Sequence, residues 1–232
     1  GYARLCGSGI KSDEVGDVEL PLYGSTVGTG TAKTLPNLYK RLYAKVCLGG
    51  GSLFAMSNTW GDRSRDAAIC EEFMLRERDA ATKIGVDVMQ IDDGWEKGVT
   101  ANSSRQKSQG SIWSEGYYKN DPRFWDVDPD RFPSGLAPLM SDNLELALWF
   151  SPDGEGDYQN CERDAERLAT LSREYGIKQF KLDGMILKNK LGERNIGRFM
   201  SLAREKSGCE LSYNIDITAG VRLGYLAHKE IG

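Results

Sequence analysis

The stretch from residue 86 to residue 95 reads Val86-Asp87-Val88-Met89-Gln90-Ile91-Asp92-Asp93-Gly94-Trp95. Its short, mostly apolar run before Asp92 predicts a β-strand, which places the acidic residues at the carboxyl end of that strand. A helical pattern from about Asp66 to Ile84 precedes the strand and ends at Gly85. This alternation of helix and strand is typical of β-α units that form a parallel sheet.

The same unit recurs on both sides of this stretch. A helical pattern from about Cys161 to Tyr175 and a second one that carries Ile196 and Phe199 separate further apolar runs. Five consecutive β-α steps fit either an open doubly wound sheet or an incomplete eight-stranded barrel. The other predicted strands cover residues 53–57, 144–150, 177–183 and 209–215.

The two ends of the chain differ from this repeating pattern. Residues 1–50 are rich in glycine and threonine, and we interpret them as a connector from a missing upstream domain. Gly28-Thr29-Gly30 lacks a third glycine at the spacing of a nucleotide-binding loop. We expect residues 51–232 to form the N-terminal part of a larger α/β domain, because Lys229-Glu230-Ile231-Gly232 carries no helix stop or turn.

The composition of the chain excludes several partners and kinds of catalytic site. The 232 residues carry a net charge of −4 with interspersed signs and no run as long as a membrane span, so neither nucleic acid nor membrane is an expected partner. His228 is the single histidine, which leaves acid-base chemistry to carboxylates. The five cysteines form no metal-binding pair, and buried reduced thiols are the interpretation. No cofactor is expected, and the compartment and a homo-oligomeric state of the full-length protein stay open.

Acidic and indole side chains follow the predicted strands, where parallel β/α folds bind their ligands. Carboxylates accept hydrogen bonds from vicinal hydroxyls, and indoles pack on the apolar face of a sugar ring, so this set indicates a sugar site. Asp92 and Asp93 without histidine form a weak metal site, and no metal is predicted. For each single residue a structural role stays open, as a helix cap or a core side chain. The strand-end residues are Trp60, Asp62, Asp92, Asp93, Trp95, Trp149, Asp153, Asp183 and Asp216.

Asp183 and Lys181 form a second pattern, because residues two apart on a strand point to one side. A nearby ammonium favours an ionised carboxylate, as a nucleophile requires. A plain interior ion pair explains the two residues equally well. Between the second and third strands, a long insertion over residues 96–131 is rich in aromatic residues and suits a loop folded over a binding site.

Together these segments resemble the α-galactosidases of glycoside hydrolase family 36 and their retaining relatives, including plant raffinose-family enzymes. The resemblance runs from about Ser57 to Tyr225. Its most specific part is the Asp92-Asp93-Gly94-Trp95 element followed in order by Lys181-Leu182-Asp183. The other matching segments are Met56-Ser57-Asn58-Thr59-Trp60-Gly61-Asp62-Arg63, Arg131-Phe132-Pro133-Ser134-Gly135-Leu136 and Leu148-Trp149-Phe150-Ser151-Pro152.

The resemblance implies an α/β fold of the (β/α)8 TIM barrel type, incomplete here, with about the first five β/α units. It implies that Asp183 is the nucleophile and that Asp92 and Asp93 hold the hydroxyls of a terminal galactose. Lys181 and Trp149 would line the pocket, Trp60 and Trp95 are candidate sugar contacts, and Arg222 is carried over after the fifth strand.

The implied reaction is retaining hydrolysis of terminal α-galactosides, raffinose-type oligosaccharides included. In the family the acid/base aspartate follows the sixth strand, beyond residue 232, so we expect the fragment alone to be inactive. Two alternatives stay open: a transglycosylase of the raffinose-synthesis type, and a non-catalytic sugar-binding relative. The sequence departs from the family at Ser151-Pro152-Asp153, where many members carry a Glu-Pro-Glu turn.

Overall fold

A computed structural model of the chain describes residues 37, 54–62, 64–106, 114–187 and 189–216. Apart from Asn37, the predicted connector over residues 1–50 lies outside the described residues, as do Trp113, Arg222 and His228. The strands are β1 (Met56–Asn58), β2 (Val88–Ile91), β3 (Glu145–Phe150), β4 (Gln179–Leu182) and β5 (Ser212–Ile215). The helices are α1 (Glu71–Ile84), α2 (Tyr117–Asn120), α3 (Cys161–Tyr175) and α4 (Lys190–Ser207), with 3-10 turns at Thr59–Asp62 and Ala137–Leu139.

The five strands form one parallel sheet in the order β1-β2-β3-β4-β5, which confirms the predicted α/β class. Each strand pairs with the next strand along the chain. A doubly wound sheet reverses its strand order at a switch point, and the described sheet has no such reversal. A sequential order is the one that a β/α barrel uses.

Successive side chains along each strand point to opposite faces of the sheet, and the two faces differ in polarity. One face is apolar: Phe180 pairs with Leu148 and Tyr213 and packs under the helices. The Phe150 ring stacks on Phe199 of α4 at 6.0 Å, and the Tyr213 hydroxyl donates to a backbone oxygen of α4. The opposite face is polar. The residues on this polar face of the sheet are Gln90, Asp92, Trp149, Gln179, Lys181, Ser212 and Asn214.

Helix α1 starts later than the sequence predicts. The prediction placed its start at about Asp66, whereas the helix begins at Glu71. The Asp66 side chain is fully buried and accepts hydrogen bonds from Ser103 Oγ at 2.6 Å and from the Ser104 amide at 2.5 Å. These long-range contacts hold Asp66 outside the helix.

The aromatic insertion folds over the ends of β2 and β3. The Trp125 ring lies 4.4 Å from the Phe150 ring and 5.7 Å from the Trp149 ring, measured between centroids. The Tyr117 hydroxyl donates to Ser151 Oγ at 2.9 Å. Burying these rings turns a polar insertion into part of the core.

Two general features complete the fold. Among the described residues, the helices are all too short or too polar to span a membrane. The three described cysteines, Cys70, Cys161 and Cys209, are free thiols, and only Cys161 is buried.

Candidate functional site

Four of the predicted site residues meet on the polar face of the sheet. Ile91 pairs with Leu148 and Trp149 pairs with Lys181, so Asp92 stands level with both. Lys181 Nζ donates to Asp92 Oδ2 at 2.8 Å, across the intervening strand β3. Trp149 Nε1 donates to Asp183 Oδ2 at 3.4 Å. We call Asp92, Trp149, Lys181 and Asp183 the β2–β4 row.

Within the β2–β4 row, burial divides the residues into two pairs. Asp92 and Trp149 are buried, whereas Lys181 and Asp183 are partly exposed. Asp92 is held in place further by Gln90 Nε2 at 3.3 Å, and its backbone N–H donates to Thr59 Oγ1 at 2.9 Å. The partly exposed Lys181 ammonium and Asp183 carboxylate therefore lie on the polar face, and buried Asp92 and Trp149 hold them in place.

Asp183 follows directly after β4 and is oriented from two sides. Its Oδ1 accepts from the Gly184 amide at 2.6 Å, and its backbone N–H donates to the Phe150 carbonyl at 3.1 Å. These hydrogen bonds fix the direction of the Asp183 carboxylate, and they do so without Asp183 capping a helix. The strand end thus holds one accessible carboxylate in a defined orientation.

Asp93 has different partners from its neighbour Asp92. It is 1% exposed, and Thr100 Oγ1 from the insertion donates to its Oδ2. Burial raises the pKa of Asp93 and the charges of Asp66 and Asp92 raise it further, while hydrogen bonds from Glu96 and Thr100 lower it. The two side chains therefore have different partners, Lys181 of β4 for Asp92 and Thr100 of the insertion for Asp93, while the Asp93 backbone N–H donates to Asp92 Oδ1 at 3.0 Å.

Three functional candidates behind the strand ends were missed from the sequence: Asp66, Glu96 and Thr100. All three are fully buried polar residues. Burial alone would raise the pKa of Asp66, but hydrogen bonds from Ser103 and Ser104 and the charge of Arg131 bring it below its ordinary value. No local pattern marks these residues, because the partners of Asp66 are 37 to 65 positions away along the chain and Glu96 and Thr100 lie inside a polar insertion.

Gly94 makes the tight turn after β2 possible. Its φ of +121° lies where side chains are rarely tolerated, and a Cβ there would stand 2.4 Å from Asp66 Cβ and 2.7 Å from an Arg131 nitrogen. Arg131 Nη1 also donates to the Gly94 carbonyl at 2.7 Å. The turn thus packs directly against the Asp66 network.

We expect Gly94→Ala to lower the free energy of unfolding by about 2–3 kcal/mol, because it adds backbone strain and a clash with Asp66. Gly61→Ala is the matched control, since a Cβ at Gly61 meets no atom within 4 Å. Urea unfolding of the two full-length variants and the wild type measures the difference. Equal stability of both variants would show that the turn relaxes at no cost.

The remaining predicted tryptophans lie in different surroundings. Trp95 is fully buried, and its Nε1 donates to the Trp149 carbonyl at 2.8 Å, so the structure places it in the core, where its ring packs near Trp125. Trp60 is partly exposed in the 3-10 turn after β1. Arg222 lies outside the described residues. Of these two tryptophans, Trp60 is the one that is partly exposed.

The fold of the chain is similar to the folds of solved α-galactosidases. The α-galactosidase of Thermus thermophilus in complex with stachyose matches with a TM-score of 0.50 and 20% identity, over 72% of this chain and 41% of that chain. The α-galactosidase of Lactobacillus brevis matches with a TM-score of 0.53 and 12% identity, over 85% of this chain and 32% of that chain. The chain has an α-galactosidase-like fold. No family model and no curated protein matches the chain.

The chain spans about two fifths and one third of the length of these two neighbours. In the described ranges, no group of three or more histidine, cysteine or acidic side chains is arranged to hold a metal ion.

A second buried network fixes the loop after β3 in this α-galactosidase-like fold. Asp153 Oδ1 accepts from the Gly116 amide at 2.8 Å, and Asn160 Nδ2 donates to its Oδ2 at 3.1 Å. The Asp153 amide donates to Asp164 Oδ2 at 2.9 Å, and the Tyr118 hydroxyl donates to Asp164 Oδ1 at 2.5 Å. Asp153 is thus a structural carboxylate that ties the insertion to α3.

Burial raises the pKa of Asp164 to about 7, even though hydrogen bonds from Tyr118 and Asp153 lower it. The folded state therefore keeps a proton that the unfolded state releases above the ordinary pKa of 3.8. This contribution to stability is complete below 3.8 and is lost as the pH rises to about 7. The charges around Asp164 are those of Asp153 and Arg163.

We expect the free energy of unfolding of the wild type to fall with rising pH across this window. The slope from Asp164 reaches at most about 1.4 kcal/mol per pH unit. Asp164→Asn lacks this contribution, whereas the exposed control Asp142→Asn keeps it. Urea unfolding of the full-length proteins at several pH values measures the slopes. Parallel curves for the wild type and Asp164→Asn would contradict the prediction.

Proposed function

We propose that the protein is a retaining glycoside hydrolase that cleaves terminal α-galactosides, including raffinose-type oligosaccharides. The observation that carries the proposal is the β2–β4 row, in which an oriented carboxylate and a buried carboxylate–ammonium pair stand on one polar face. The α-galactosidase-like fold supports the same substrate class, and the Thermus neighbour was solved with stachyose. The closed form of the sheet would be a (β/α)8 barrel whose interior is this polar face.

In the proposed mechanism Asp183 attacks the anomeric carbon of the bound galactose. A bond from the Asp183 carboxylate to this carbon forms as the bond to the leaving oxygen breaks, and an acid gives that oxygen a proton. Water then attacks the same carbon from the side opposite to Asp183 and gives its proton to the conjugate base of that acid. The bond to Asp183 breaks with its electron pair on the carboxylate, which releases galactose with its configuration retained. We assign this acid to none of the described residues.

The other residues of the row would position the sugar. Asp92 would accept hydrogen bonds from galactose hydroxyls on the acceptor positions that Lys181, Gln90 and the Asp93 amide leave free. Lys181 would contribute positive charge next to Asp183. The partly exposed ring of Trp60 is a candidate platform for the sugar ring. Trp95 is buried in the core and is not part of this proposal.

The test uses the full-length protein with an aryl α-galactoside and with raffinose. The proposal requires release of galactose, with the α-anomer as the first product by NMR. Adding an acceptor sugar separates hydrolysis from transglycosylation, since a transglycosylase forms a new oligosaccharide in place of free galactose. Galactose binding without any turnover would favour the sugar-binding alternative. Absence of both would refute the proposal.

Asp92→Asn is expected to weaken sugar binding by about 10- to 100-fold, because it replaces a charge-assisted hydrogen bond by a neutral one. KM for the aryl α-galactoside and calorimetric galactose affinity measure the effect. The exposed control Asp79→Asn should leave both values unchanged. Unchanged KM and kcat in Asp92→Asn would show that this strand end has only a structural role.

A further inference from the structure

Two buried carboxyl groups share the turn after β2. Asp93 is 1% exposed and Glu96 is 0% exposed, and their carboxyl groups are near enough that each shifts the pKa of the other. Neither belongs to the β2–β4 row. A pair of ionised carboxylates in such a position would be strongly unfavourable, because burial removes the water that would screen their repulsion.

The oxygens of this pair divide into bonded and unbonded ones. Thr100 Oγ1 donates to Asp93 Oδ2, and the Gly94 amide donates to Glu96 Oε2 at 3.0 Å. In the described part of the chain no N–H or O–H donor reaches the other two oxygens, Asp93 Oδ1 and Glu96 Oε1. Unsatisfied buried acceptors are rare in folded proteins, and one proton between two carboxyl oxygens satisfies both.

We infer that Glu96 keeps its proton and donates it to Asp93 Oδ1, so that Glu96 is the positioning residue for Asp93, to which the family resemblance assigns contacts with sugar hydroxyls. Glu96 is the more buried of the two groups. Its Oε2 accepts a hydrogen bond from the Gly94 amide, which orients the carboxyl group. Burial and the nearby Asp93 charge also raise the pKa of Glu96 well above its ordinary range. The inference concerns how Asp93 is held and rests on the proposed function.

Two donors on Asp93 have a consequence for binding. A carboxylate has about four acceptor positions, so Thr100 and Glu96 occupy two of them and leave two. Both donors are neutral, so the negative charge of Asp93 is retained. Without the Glu96 proton, Asp93 would turn toward other donors or would itself take up a proton, and a sugar hydroxyl would lose a defined acceptor.

Two substitutions of Glu96 in the full-length protein separate this role from plain packing. Glu96→Gln replaces the protonated carboxyl by an amide of the same shape, which still donates to Asp93 and accepts from Gly94. Glu96→Met keeps a similar volume and removes both hydrogen bonds. Glu205→Met on the exposed side of α4 is the matched control.

Infrared difference spectra at neutral pH test the proton itself, without any ligand. The wild type minus Glu96→Gln spectrum should show the carbonyl band of a protonated carboxyl group. Because Asp164 is present in both proteins, its contribution cancels. Absence of this band overturns the inference, and this measurement stays decisive if Glu96→Met fails to fold.

Calorimetric titration with galactose tests the positioning. We expect Glu96→Gln to bind within about threefold of the wild type and Glu96→Met to bind at least about tenfold more weakly. Wild-type affinity in a folded Glu96→Met would overturn the positioning role. A wild type that shows the infrared band but binds no galactose would instead refute the proposed function, so the two failures are distinguishable.

Discussion

Asp183→Ala in the full-length protein should abolish turnover of an aryl α-galactoside, with kcat reduced roughly 10³-fold or more, while galactose binding is largely kept. The reason is that the substitution removes the only partly exposed carboxylate of the β2–β4 row and leaves Asp92 and Lys181 in place. Initial rates and calorimetric galactose titration measure the two effects. Asp130→Ala, an exposed aspartate of the insertion, is the matched control.

Azide distinguishes a nucleophile from a structural carboxylate at this position. In Asp183→Ala, azide can enter the vacated space, form the bond to the anomeric carbon and expel the aryloxide with its electron pair. A single displacement inverts the configuration, so the expected product is β-galactosyl azide. If Asp183→Ala retains activity within about tenfold of the wild type, Asp183 is not the nucleophile.

Lys181→Met should destabilise the fold by about 3–5 kcal/mol, because it leaves the Asp92 carboxylate buried without its counter-charge. A large loss of stability is expected because the Lys181 and Asp92 side chains are only 14% and 3% exposed. Lys181 Nζ and Asp92 Oδ2 are 2.8 Å apart. Urea unfolding of the full-length protein measures the change. Lys178→Met, an exposed lysine just before β4, should stay within about 0.5 kcal/mol of the wild type.

The double variant Lys181→Met/Asp92→Asn tests the cause of this loss. Removing both charges takes away the unpaired buried carboxylate, so part of the lost stability should return. If Lys181→Met is no less stable than Lys178→Met, the ion pair contributes nothing to folding. A double variant as unstable as the sum of the two single variants would mean that the two residues act independently.

Much of the fold was predictable because it follows from local patterns. Apolar runs of five to seven residues and glycines after the helices indicate the order of strands and helices, and the structure confirms the parallel sheet. Helix α3 occupies the predicted range, Cys161–Tyr175. Helix α1 does not begin where predicted, because the start depends on contacts of Asp66 with residues 37 and 38 positions further along the chain.

The site was predictable in part for the same reason. Strand ends and a two-residue spacing are visible in a sequence, and Asp92, Trp149, Lys181 and Asp183 do lie together. Trp95 illustrates the limit, because burial of its indole depends on the Trp149 carbonyl 54 residues away. Glu96 is an acidic residue in a polar insertion, so its sequence context predicts an exposed side chain, whereas the fold buries it completely.

The Lys181–Asp92 ion pair also bears on the curvature of the sheet. It joins β2 to β4 above the intervening strand β3, over two strand spacings of about 4.8 Å each. In a curved sheet the straight-line distance between β2 and β4 on the concave face is short, and flattening the sheet would lengthen it. The pair that we assign to sugar binding therefore also resists flattening and favours bending of the strands around the face that carries it.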